Sequence, residues 1–146
     1  VFCFLGNISE RLAAHIDGSK TVIKLSSDYA AISDFVENTD IGSYDYILGL
    51  GMYSGRDQDS IRIETECNGR FRNSGSSEDG TLIPYFLQYA DGMKLAKGIG
   101  ISWCNLASYK LLSKYPNLRY TFLHIPKKFD EHLASSLINL QLLKLV

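Results

Sequence analysis

The sequence predicts an α/β protein, a three-layer α/β/α sandwich built on a mostly parallel twisted sheet. Two observations carry this. Short apolar runs alternate along the chain with longer stretches whose apolar residues recur every three or four positions, which is the rhythm of βαβ units. Residues that favour helix N-termini stand just before several of those longer stretches. The chain has 146 residues, 45% of them apolar. That is enough for one sizeable core, so one domain spanning 1–146 is expected.

Residues 1–5 read as the first buried strand, and Asn7 stands where it can cap a helix over 8–16. The run 21–25 is the second strand, and Ser27 precedes a helix over 29–36. A third strand over 46–50 ends at Gly51. Over 61–67, Ile61, Ile63, Thr65 and Cys67 alternate with Arg62, Glu64 and Glu66, the pattern of a strand covered on one face, at an edge or in a protruding hairpin. The Ser-, Gly- and acid-rich stretch 73–80 reads as a surface loop. The rhythm then resumes with a strand over 99–102, a helix over 105–114 capped near Asn105, a strand over 118–124 and a helix over 133–145 near Asp130. That last helix is strongly apolar and is expected to cover the core, with a self-association face as the alternative.

Composition excludes several classes of function. The formal net charge is −1 and the basic residues are dispersed, so no positive field favours nucleic acid. Cys3, Cys67 and Cys104 are an odd number without a close pair, which fits free thiols in a reducing compartment and makes a cytoplasmic location the expectation. No segment approaches the apolar length of a membrane span, and residues 1–5 are too short for a signal-peptide core. No membrane partner is expected.

The chemistry centres on two residues. Cys104 stands at the mouth of a helix, in Ser102-Trp103-Cys104-Asn105, and His124 follows one helix and one strand later, in Phe122-Leu123-His124-Ile125-Pro126. A thiolate is stabilised by a helix N-terminus and by a neighbouring imidazole, so the two are candidates for nucleophile and acid–base. In a βαβ arrangement, sites form beyond the carboxyl ends of strands, where Gly51, Cys104 and His124 all fall. Spacing alone does not separate this pair from a buried free thiol and a structural histidine. Gly49, Gly51 and Gly55 lack the order of a phosphate loop, so they read as a tight strand-end turn that approaches the cleft. Trp103 packs beneath the nucleophile or lines a substrate pocket. His15 and His132 lie far from any cysteine pair, so no metal site is expected.

The blocks Tyr44-Asp45-Tyr46-Ile47-Leu48-Gly49-Leu50-Gly51 with Gly55-Arg56, the strand from Arg62 to Arg70, Asp79-Gly80, Trp103-Cys104-Asn105 with Tyr109, and Phe122-Leu123-His124-Ile125-Pro126 resemble the pyroglutamyl peptidase I (pyrrolidone carboxyl peptidase) family of cysteine peptidases. The resemblance spans most of the chain, and its specific parts are the Cys-Asn and His-Ile-Pro blocks. It implies Cys104 as nucleophile, His124 as acid–base and no cofactor. It also implies an N-terminally blocked peptide or small amide as substrate, and makes a homo-oligomer plausible.

The departures are equally specific. In the family, a Gly-Phe-x-Pro-Phe loop after the first strand walls the pocket, whereas here Phe4-Leu5-Gly6-Asn7 runs almost directly into the first helix. Phe4 either replaces one lost aromatic or is core. Counting back from Arg70, the family's catalytic glutamate position is held by Ser60. Asp59 is the adjacent candidate to orient His124, with a solvated loop carboxylate as the alternative reading. Glu64 shares a face with Arg62 and Glu66 and reads as surface. Arg70 borders the site by resemblance or is simply exposed, and Asn73 stands near where the family carries Asp. The expected function is removal of a pyroglutamyl or similar small acyl group. The alternative is an inactive homologue that binds a ligand or serves in assembly.

Overall fold

Alternation of apolar side chains divides the inner strands between two faces, and each face is closed by a pair of helices. A computed structural model describes residues 1–18, 20–72 and 80–145. In chain order its elements are β1 (Phe2–Phe4), α1 (Ile8–Ala13), β2 (Ile23–Leu25), α2 (Tyr29–Asn38), β3 (Ile47–Tyr53), β4 (Ile61–Glu64), β5 (Glu66–Cys67), β6 (Thr81–Leu82), β7 (Met93–Ala96), α3 (Trp103–Lys114), β8 (Tyr120–Pro126) and α4 (Glu131–Leu143). Six strands form one sheet in the order β2-β1-β3-β8-β4-β7, and β5 and β6 form a separate antiparallel pair. β2, β1, β3 and β8 run parallel; β4 runs against β8 and alongside β7. This is the expected α/β sandwich with a mostly parallel sheet.

On one face, Phe2, Phe4, Tyr120 and Phe122 pack with Ile32, Phe35 and Val36 of α2 and with Ala107 and Leu111 of α3. On the other, Leu48, Leu50, Ile61, Ile63, Leu123 and Ile125 pack with Ile8 and Leu12 of α1 and with Ala134, Ile138 and Leu142 of α4. α4 therefore covers the core, while Leu133, Leu140 and Leu143 face outward. Among the described residues no helix is long and apolar enough to cross a membrane.

Caps explain where the helices start. Asn7 accepts from the Ser9 N–H, and Asp130 accepts from the Leu133 N–H, as their positions suggested. α2 is capped by Asp28 rather than Ser27, because Asp28 is the residue whose extended backbone aims its carboxylate at the Ala31 N–H. α3 begins at Trp103, after Ser102, so Asn105 lies inside the helix and caps nothing.

Two strand expectations need correction. Residues 99–102 form no strand; the strand is β7, several residues earlier, and the chain reaches α3 through Gly98 (φ 87°) and Gly100 (φ 94°). The segment 61–67 is not an edge: β4 is covered by β8 and β7, and only Glu66–Cys67 belongs to a hairpin. Apart from Gly80, the loop expected over 73–80, including Asn73 and Asp79, lies outside the described residues.

Gly49 shows how tightly the first face is filled. A Cβ there would lie 2.5 Å from Phe122 Cδ2 and 2.6 Å from Phe2 Cζ, both ring atoms of the core. Gly49→Ala is therefore expected to lower unfolding stability by about 1–3 kcal/mol through overpacking, read as a lower urea midpoint at unchanged slope.

Candidate active site

The strand register sets the site. Gly51 of β3 stands opposite His124 of β8, and on the other side of β8 Arg62 stands opposite His124 and Glu64 opposite Phe122. Because side chains alternate along a strand, His124, Arg62 and Glu64 project to the same face, the one that α3 covers. From its diagonal position Glu64 reaches back to His124: its Oε1 lies 2.8 Å from Nδ1. The Arg62 Nε–H donates to the same oxygen at 3.0 Å. Glu64 has no exposed surface, and its second oxygen, Oε2, has no hydrogen-bond partner among the described residues.

Cys104 is brought in from the other side, as the second residue of α3. A Cβ built on Gly51 would lie 2.6 Å from Cys104 Sγ, 2.8 Å from Phe122 Cζ and 3.1 Å from His124 Cδ2. Sulfur and imidazole thus flank one point, which stays open only because residue 51 has no side chain. Gly51 is a strand-interior residue that makes room for the pair, not part of a turn. With Nδ1–H given to the carboxylate, the nitrogen free to take a proton is Nε2, which is bonded to the Cδ2 that faces this point.

The thiol differs from the sequence-based expectation of a standing thiolate. Cys104 is buried, and burial pushes its thiol up to about 12, with the Glu64 charge adding to the rise and its own backbone N–H acting against it. Loss of solvation outweighs the helix N-terminus, so the resting group is the protonated thiol. For sulfur to act as a nucleophile that proton would have to leave, and the His124 ring lies across the Gly51 gap from it.

Asp59 does not orient His124. It is exposed, its backbone N–H donates to Asp57 Oδ1, and the Nδ1 position is held by Glu64. Ser60, the residue reached by counting back from Arg70, is likewise not the partner. The alternation reading put Glu64 and Arg62 on one face correctly, but it took that face for surface; β4 is an inner strand, and α3 lies over it. Phe4 is core: it is 3% exposed and meets Phe2 edge to face. The Arg70 side chain is exposed while its carbonyl accepts from Asn105 Nδ2 at 2.6 Å, so its backbone, not its charge, borders the site. Trp103 is half-buried against the core cluster that contains Cys104, with Phe71 at 4.8 Å between ring centroids and the Arg72 guanidinium 4.7 Å above its ring. His15, in the turn after α1, and His132 of α4 lie near one another, both exposed.

Asn105 has a role that its place beside the cysteine did not reveal. Fully buried, it accepts from the Asn68 N–H and donates to the Asn68 and Arg70 carbonyls, locking the 68–70 segment onto the start of α3. Ser102 makes no side-chain capping bond, which leaves the first-turn N–H groups of α3 available to an anionic oxygen.

Solved structures that share this architecture include pyrrolidone carboxyl peptidases. The pyrrolidone carboxyl peptidase of Thermus thermophilus superposes with a TM-score of 0.72 at 15% identity, covering 97% of this chain and 96% of its own. That of Thermococcus litoralis gives 0.71 at 13% identity over 97% and 89%. The chain has the pyrrolidone carboxyl peptidase fold. Pyroglutamyl peptidase I of Bacillus amyloliquefaciens, another structure with this fold, gives 0.66 at 16% identity over 96% and 90%. No protein-family model matches the chain, and no curated protein matches it in sequence. At these identities the likeness to the pyrrolidone carboxyl peptidases is one of fold.

The buried thiols make stability pH-dependent. Cys104 and Cys67 are both raised to about 12, whereas an unfolded thiol ionises near about 8.5. Between those values the unfolded chain holds fewer protons than the native one, so stability falls as pH rises, by up to about 1.4 kcal/mol per pH unit for each thiol. Urea unfolding at pH 7 to 10 is expected to show this decline, and Cys104→Ser to make it shallower. An unchanged slope in that variant contradicts the assignment.

Proposed function

We propose that the chain is a cysteine peptidase or amidase that removes a pyroglutamyl or similar small acyl group from a peptide N-terminus. The observation that carries this reading is the buried Glu64–His124 hydrogen bond, which holds the imidazole with its Cδ2 edge at the Gly51 gap where Cys104 Sγ also lies. A structural histidine needs neither a buried carboxylate partner nor a cysteine sharing the same gap.

In the proposed reaction, His124 Nε2 takes the thiol proton as Sγ attacks the amide carbonyl. The C=O electrons move onto oxygen, which is held by first-turn N–H groups of α3. As the C–N bond breaks, His124 returns the proton to the leaving amine, and a thioester remains on Cys104. Water then attacks that carbonyl, His124 takes its proton, and the C–S bond breaks to release the acid and restore the thiol. Glu64 faces the positive charge that His124 carries at each stage. No step calls for a cofactor.

The substrate's acyl group is expected to be small. The connection between β1 and α1 is a tight turn: Gly6 adopts φ 78°, its N–H donates to Glu10, and the Phe4 N–H donates to Ser9 Oγ. It adds no aromatic wall. One observation favours the competing reading of a binding or assembly module: Cys104 is only 9% exposed, so substrate must gain access to it. The outward leucines of α4 are the face through which self-association would operate under either reading.

Release of a fluorescent amine from pyroglutamyl, prolyl and acetyl amides separates these readings. Cys104-dependent turnover is expected with at least one of them, lost in Cys104→Ser and lowered roughly 10²–10⁴-fold in kcat/KM by Glu64→Gln. Folded protein without Cys104-dependent release from any of the three supports the binding module instead.

A further inference from the structure

Glu64 is not held by His124 alone. Arg62 donates to the same Oε1, and its Nη2 donates to the Lys97 carbonyl at 3.1 Å. The guanidinium carbon of Arg62 lies over the Tyr53 ring, 4.5 Å from its centroid, and that ring in turn stands 6.1 Å from the ring of His124. Tyr53 is itself set in place by Gly55: a Cβ at Gly55 would coincide with the Tyr53 phenol, so the ring can fold back over the glycine only while that residue lacks a side chain. Arg62 thus has three separate restraints, one from β4, one from the chain after β7 and one from the end of β3. Its side chain is 12% exposed, against 0% for Glu64.

From this geometry we infer that Arg62, clamped by Tyr53, is a positioning residue that fixes Glu64 in the rotamer serving His124 and balances the carboxylate's charge beside Cys104. The inference deepens the proposed peptidase reading and rests on it for its catalytic meaning. A rotamer argument supports the first half. Glu64 must lean diagonally across the sheet to reach Nδ1, and Arg62 donates from two residues away on the same strand face, which keeps Oε1 on that side. A charge argument supports the second half. A carboxylate without solvent disfavours any nearby thiolate, and a fixed guanidinium on the same oxygen offsets that field. Lysine in place of Arg62 would keep the charge while losing the guanidinium's contact with the Tyr53 ring and the fork that spans Glu64 and the Lys97 carbonyl.

The test reads Cys104 directly, without requiring turnover. The second-order rate of Cys104 alkylation by iodoacetamide at pH 8, followed on the Cys104 peptide by mass spectrometry, is measured in the wild type, Arg62→Gln, Arg62→Lys and the double variant Arg62→Gln/Glu64→Gln. Arg62→Gln leaves Glu64 uncompensated and is expected to slow alkylation roughly tenfold, the equivalent of one unit in the thiol equilibrium. Arg62→Lys is expected to stay within about twofold of wild type, and the double variant to match or exceed wild type. Arg62→Gln reacting as fast as wild type or faster, Arg62→Lys slowed as much as Arg62→Gln, or a slowed double variant each overturns the inference. If Arg62→Gln does not fold, the double variant, which carries no unpaired buried charge, still decides the charge argument.

Where the wild type turns over an amide, Arg62→Lys is expected to lower kcat with KM nearly unchanged, which separates loss of positioning from loss of binding. Absence of turnover in the wild type sinks the peptidase reading, while the alkylation order still decides the role of Arg62.

Discussion

A carboxylate with no exposed surface must have its charge answered from inside the protein, and at Glu64 this requirement organises the site. Burial of an unpaired charge costs several kcal/mol, and removing one partner of a buried pair commonly costs about 3–5 kcal/mol. Oε1 is answered twice, by His124 Nδ1 and by Arg62 Nε. That arrangement needs three things at once: β4 antiparallel to β8 in the register that places Arg62 opposite His124, a helix over this face to exclude water, and a neighbouring strand slim enough to let that helix approach. Gly51 meets the last need, since any side chain there would collide with the sulfur it now sits beside.

The same enclosure explains why this thiol does not resemble an exposed reactive cysteine. Burial raises it to about 12, and the Glu64 charge pushes in the same direction. A site with a standing thiolate needs solvent or strong positive potential around sulfur, and here the Glu64 charge acts the other way. The proposed reaction is accordingly concerted, with the proton passing to His124 as the sulfur attacks and Glu64 facing the imidazolium that would form. One carboxylate thus makes the free thiolate less favourable and holds in place the imidazole that would receive its proton.

Much of this was legible in the chain. The βαβ rhythm gave the layers, Asn7 and Asp130 gave helix starts, and the Cys-Asn and His-Ile-Pro blocks pointed to the two side chains that the fold brings to the Gly51 gap. What failed had physical causes. Residues 99–102 are apolar because Ile99 is buried in the core, not because they pair in a sheet, whereas β7 has a mixed pattern with Leu95 exposed on its outer side. Glu64 was legible as to face but not as to neighbours: strict alternation suits both a half-solvated edge and an inner strand whose polar face is filled by an ion pair. Counting by motif from Arg70 led to Ser60 and its neighbour Asp59, and only the pairing of β4 with β8 shows which acid stands next to the imidazole. A glutamate two residues from an arginine, on one face of an alternating apolar strand, was the signal available.

The central claim is that Glu64, acting through His124, makes a nucleophile of a thiol that burial would otherwise keep inert. Acid-quenched mixing of the protein with an excess of a pyroglutamyl ester, followed by intact and peptide mass spectrometry, reads acyl transfer to sulfur before any later step. The account predicts one acyl group on the Cys104 peptide, formed at least about a hundredfold more slowly in Glu64→Gln. Acylation elsewhere, none on Cys104, or an equal rate without the Glu64 carboxylate would contradict it.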